Sequence, residues 1–87
     1  MTVYMVERDL KGIAMDDLAA AQKAAISTAN DFTEQGKAVR YIRTTFVPEE
    51  GNCRCLFEAA NADDVRAVNE TAGIPYNRIV EALDLTP

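Results

Sequence analysis

The stretch Tyr41–Ala59, YIRTTFVPEEGNCRCLFEA, reads as two strands joined by a tight turn, and the rest of the fold follows from it. Pro48-Glu49-Glu50-Gly51 supplies the turn, because proline presets φ and glycine permits positive φ. Folding around those four residues pairs Val47 with Asn52 and sets every later partner. Phe46 then faces Cys53, Thr44 faces Cys55 and Ile42 faces Phe57, all on one side, since side chains alternate along a strand. The opposite side carries Thr45 with Arg54, Arg43 with Leu56, and Tyr41 with Glu58. One side is a core. The other is rich in charge.

Outward from the hairpin, Thr2–Arg8 reads as a first strand, with Val3, Met5 and Glu7 on one side and Tyr4, Val6 and Arg8 on the other. Asp16–Gln35 has the strongest helical pattern: Leu18, Ala21, Ala25, Ala29 and Phe32 recur at three- and four-residue steps. Asp16 and Asp17 suit the positive helix start, and Gly36 suits its end. The stripe is mostly alanine, so this helix can approach a sheet closely. Asn61 caps a second helix with Asp64 three residues on, Val65, Val68 and Ala72 form its buried side, and Gly73 with Pro75 ends it. Asn77–Leu83 is the last strand.

The order strand, helix, strand, strand, helix, strand is the split βαβ pattern of a ferredoxin-like α+β sandwich, a single domain over residues 1–87. Right-handed crossovers place the first and third strands in the centre of a four-stranded antiparallel sheet, with both helices on one face. The other face is open in a lone chain. Two such faces meeting would make a homodimer of the α+β barrel type with a cavity between them.

The charged side of the hairpin belongs to that open face. Val3, Met5, Glu7 and Ile79, Glu81, Leu83 are assigned to it as well, because Glu81 would be a costly charge beneath a helix. Three carboxylates, Glu7, Glu58 and Glu81, then meet Tyr41, Arg43 and Arg54 over a floor that includes Met5, Leu56 and Ile79. An apolar floor with a few convergent polar groups is the profile of a small-molecule pocket. Crowded carboxylates repel, so at least one of the three is expected to have a raised pKa and to be competent as a general acid or base, unless Arg43 neutralises the group; the alternative is that these charges simply form cross-strand ion pairs on a wetted sheet.

Composition narrows the partners. The 87 residues are 48% apolar and 26% charged, with a net charge of −5, which argues against nucleic acid or an anionic membrane. The N-terminal MTVYMVERD lacks the pattern of a signal peptide and no apolar run reaches membrane-spanning length, so a cytoplasmic location is expected. There are two cysteines and no histidine. Cys53 and Cys55 point the same way on one strand, under the helices, where free cysteine behaves as a small apolar residue. A bond between them would be strained, and two thiols alone do not complete a zinc site.

Val6-Glu7-Arg8, Tyr41-Ile42-Arg43, Cys55-Leu56-Phe57-Glu58-Ala59 and Gly73-Ile74-Pro75 followed by Asn77-Arg78-Ile79 and Glu81 together resemble a family of short bacterial domains of unknown function, some described as nickel-binding. The resemblance spans nearly the whole chain. It implies a ferredoxin-like homodimer with a site on the open sheet face. Members look to carry histidine where this chain has Arg43, and a permanent cation there removes a ligand and repels a divalent metal. No cofactor is therefore expected, and a divalent metal is disfavoured by the absence of histidine. Three functions follow in order: a homodimeric protein binding a small molecule on the open face, a cofactor-free isomerase, cyclase or monooxygenase-like enzyme, and a nickel-type metal binder.

Overall fold

The computed structural model describes residues 1–87 and contains β1 (Thr2–Asp9), α1 (Met15–Glu34), β2 (Val39–Val47), β3 (Asn52–Ala59), α2 (Ala62–Ala72) and β4 (Arg78–Ala82). The strands form one antiparallel sheet in the order β2-β3-β1-β4, and α1 and α2 pack together on one side of it. This is the ferredoxin-like arrangement, with β1 and β3 central as the connections require.

The local signals act where the sequence puts them. Asn61 Oδ1 accepts from the Asp64 backbone N–H at 2.9 Å, and Gly73 closes α2 in the left-handed region at φ 73°. At the hairpin tip Gly51 has φ +78°, and its carbonyl accepts from Leu10 N–H at 2.8 Å. The chain passes so close that a Cβ at Gly51 would lie 2.4 Å from Lys11 Cα, so only glycine fits the approach.

The core lies between sheet and helices. Val6 of β1, Val39 of β2 and Cys53, Cys55, Phe57 and Ala59 of β3 meet Ala25 and Ala29 of α1 and Val65 and Val68 of α2, with Ile74 beyond the end of α2. The alanines of α1 let it approach the sheet, as its stripe suggests.

The hairpin register holds from Val47↔Asn52 through Arg43↔Leu56 and then slips by one residue. A β-bulge between Tyr41 and Arg43 makes Ile42 the extra residue, so Tyr41, not Ile42, is opposite Phe57, and Arg40, not Tyr41, is opposite Glu58. The physical reason lies further down the strand. An unbroken register would turn Arg40 into the core and Val39 to solvent. The slip buries Val39 to 3% exposure and leaves Arg40 outside to pair with Glu58.

The face assigned to β4 is also corrected. Antiparallel pairing puts Ile79 opposite Val6 and Glu81 opposite Tyr4, on the helix side, while Arg78, Val80 and Ala82 join the open face with Glu7, Met5 and Val3. The cost of burying Glu81 does not arise, because β4 is an edge strand and Glu81 is exposed at its margin. Leu83 lies beyond β4 and is also exposed.

Candidate functional site

The open face retains Glu7, Glu58, Arg43, Arg54, Met5 and Leu56, and loses Tyr41, Ile79 and Glu81 to the other side. In their place it gains Arg40, Arg78 and Val80, none of which the sequence reading had put there. The floor is half-buried Val3, Met5, Leu56 and Val80. Around it Glu7 Oε1 accepts from Arg54 Nε at 3.3 Å while Oε2 takes Arg78 Nε. Glu58 Oε1 accepts from Arg40 Nε at 3.3 Å, and Arg43 Nη2 donates to Asp84 at 3.1 Å rather than to any of the three glutamates. The network sets four guanidiniums against three carboxylates. Four of the chain's nine cationic residues therefore share one face of an acidic protein.

At Glu7 this pairing acts opposite to the expectation of a raised carboxyl. The Arg78 guanidinium, with Arg54 after it, holds the Glu7 carboxyl below its ordinary 4.5 against the opposing pull of desolvation. A carboxylate stabilised as the anion is a poor general base at neutral pH. The proton-moving trio is also dismantled by geometry, since Glu81 sits on the opposite side of the sheet.

Because its folded pKa is depressed, Glu7 contributes stability that is present above its unfolded value and fades as pH falls through the folded one. Urea midpoints of wild type and Glu7→Gln should therefore differ most near neutrality and converge as the pH drops below 4.5. A gap that stays constant down to strong acid would show that the carboxylate charge is not what Arg54 and Arg78 hold.

The sequence reading missed a second site beneath the helices. Arg8 follows Val6 on the inward side of β1 and is only 4% exposed. No carboxylate meets it. Its guanidinium donates to Asn69 Oδ1 at 2.9 Å, to the Pro75 carbonyl at 3.2 Å and to Cys55 Sγ at 3.3 Å. Asn69, itself fully buried on α2, is held by its own bond to the Val65 carbonyl. Beside Arg8 lies a cavity of about 140 Å³ lined mainly by apolar side chains, among them Leu10, Leu18, Ala21, Phe46 and Ile74, with Cys53, Cys55 and Thr44 in its wall. The signal in the sequence was a cation at an inward-facing strand position opposite a stripe of alanines. Tyr41 belongs to this side too: its ring meets Phe57 edge-on at 5.6 Å, and its hydroxyl contacts both Gln22 and Thr44.

Cys53 and Cys55 are buried and unbonded beneath the helices, as the hairpin register implies. No three of histidine, cysteine, aspartate and glutamate come together within the chain as a metal site would require, and Glu7 and Glu58 already have guanidinium partners. No helix is long and apolar enough to cross a membrane.

The architecture and its paired open face define a small ferredoxin-like α+β protein. The chain belongs to the family described as Nickel responsive protein SCO4226-like, whose model matches residues 4–82. The crystal structure of SCO4226 from Streptomyces coelicolor A3(2) superposes with a TM-score of 0.80 at 26% identity, over 97% of this chain and 99% of that one. None of the curated proteins matches the chain.

Proposed function

We propose that this chain is a homodimeric binding protein that closes its open sheet face against a second copy and seats a small anionic molecule between them. The observation that carries this reading is the half-buried floor of Val3, Met5, Leu56 and Val80, left uncovered by the helices and ringed by Arg40, Arg43, Arg54 and Arg78. Apolar surface gains by being covered, and a domain this small benefits from association. The guanidiniums favour a carboxylate- or phosphate-bearing occupant, because a planar fork matches such groups.

Sedimentation velocity at micromolar concentration tests the assembly. The wild-type chain should run as a dimer, and Leu56→Arg, which sets a charge in the middle of the floor, should run as a monomer with unchanged circular dichroism. A wild-type chain that is monomeric throughout would remove the reading. With the dimer established, a panel of small carboxylates and phosphates should contain compounds that raise the melting temperature of wild type but not of Arg43→Gln.

The enzyme reading, with a glutamate moving a proton, has no support from Glu7 in its paired state. The family description gives nickel a claim that direct measurement decides. On the donor set of this chain, nickel added in equimolar amount to untagged protein is expected to be lost on dialysis. Retention of one ion per chain or per dimer would make the metal the occupant instead.

A further inference from the structure

The buried guanidinium of Arg8 has no carboxylate partner, and a buried cation without a counter-charge is costly. The one group in contact with it that can carry a negative charge is the thiol of Cys55. Gln22 Nε2 can only donate, and it gives its hydrogen to Tyr41 Oη at 3.0 Å. Tyr41 Oη is paired in turn with Thr44 Oγ1, whose hydroxyl lies 3.1 Å from Cys55 Sγ. Arg8 Nη2, also a donor only, reaches the same sulfur at 3.3 Å. Cys55 Sγ thus accepts from the buried guanidinium of Arg8 and lies within reach of a hydroxyl able to donate to it, surroundings that favour the thiolate.

We propose that Cys55 is a thiolate paired with Arg8, and that it is a nucleophile toward small organic hydroperoxides entering the cavity beneath α1. The apolar wall selects a hydrocarbon body, and a cavity close to this size takes a benzene-sized guest. In the reaction the Cys55 sulfur takes the outer oxygen of the hydroperoxide. The S–O bond forms as the O–O bond breaks, and the departing alkoxide takes up the proton carried by the transferred oxygen. An alcohol and a Cys55 sulfenate result, with sulfur oxidised by two electrons and the hydroperoxide reduced by two. The guanidinium of Arg8 stabilises the charge on the leaving oxygen.

The electrostatics agree with the geometry. The neighbouring Cys53 thiol first, then the Arg8 charge and the Thr44 hydroxyl, hold the Cys55 thiol down to about 5 against the opposing effect of burial, while Cys53 is pushed up. The groups facing Cys55 are Arg8 from β1, Tyr41 and Thr44 from β2, Cys53 from β3 and Asn69 of α2 through Arg8. The α1 residues of the cavity wall, Leu18, Ala21, Gln22 and Ala25, carry no charge. The proposal does not depend on the dimer or on the open face.

The test uses the intact chain with tert-butyl hydroperoxide as probe, dimedone to trap sulfenic acid and peptide mapping to locate it. Wild type should form one adduct at Cys55, with a rate that levels off between pH 6 and pH 7 because the thiolate is already formed. Asn69→Asp gives Arg8 a carboxylate in place of an amide at the same 2.9 Å position. It should keep the fold and react at least about tenfold more slowly at pH 7, as follows when the thiol pKa returns to about 8 or above and under a tenth of the thiol is ionised at that pH. Cys55→Ser should form no adduct. An adduct at Cys53, a rate that climbs only near the ordinary thiol value of 9.0, an unchanged rate in folded Asn69→Asp, or faster reaction with hydrogen peroxide than with tert-butyl hydroperoxide would each overturn the assignment.

Discussion

Phe57→Ala is expected to destabilise the fold by about 3–5 kcal/mol, the range for emptying a fully buried aromatic position. Phe57 is the largest side chain with no exposed surface, and it sits on the central strand β3 between its partners Tyr4 and Tyr41. Its burial couples both neighbouring strands, so the cavity left by alanine cannot be filled from one side alone. A domain of this size has about 5–15 kcal/mol in all, which makes the loss a large share of the total. The melting temperature should fall by at least about 12 °C, since each kcal/mol is worth about 4–8 °C here. Phe57→Leu, which keeps most of the volume, should cost much less. A loss below about 1 kcal/mol for alanine in urea titrations would mean that the core is not centred on this ring.

Asn69→Ala is expected to cost about 2–3 kcal/mol, although it removes only a small polar side chain. Hydrogen bonds to a charged group are worth about 1.5–3 kcal/mol, and the buried partner that loses one is left with its desolvation uncompensated. Asn69 Oδ1 is the shortest of the three contacts of Arg8, and its amide nitrogen also satisfies the Val65 carbonyl. Asn69→Asp separates the two roles, because the acid restores an acceptor for Arg8. Urea midpoints should place Asn69→Asp close to wild type and Asn69→Ala well below it. Equal losses in the two variants would show that the amide donor to Val65, not the acceptor for Arg8, is the stabilising contact.

The family description attaches nickel to SCO4226-like proteins, whereas this chain spends its open-face carboxylates on arginine. Arg43 shows how this comes about. Its guanidinium turns away from the glutamates to Asp84, just beyond the end of β4. A face built this way attracts anions through its arginines and offers few free oxygens to a cation.

Element order, helix caps, the turn at Pro48–Gly51 and the core role of Cys53, Cys55 and Phe57 were all legible from residue spacing, because each depends on neighbours a few positions away. The sheet order followed as well, since right-handed connections leave little choice. The bulge at Ile42 was not legible. It depends on weighing a buried Val39 and a solvated Arg40 against an unbroken ladder, and that balance needs the helix that covers Val39. The face of β4 was likewise set by its pairing with β1, which local alternation cannot supply when both sides of a strand mix apolar and charged residues. The contacts of Arg8 with Asn69 and Pro75 join residues more than sixty positions apart, so the site beneath α1 exists only once the chain has folded.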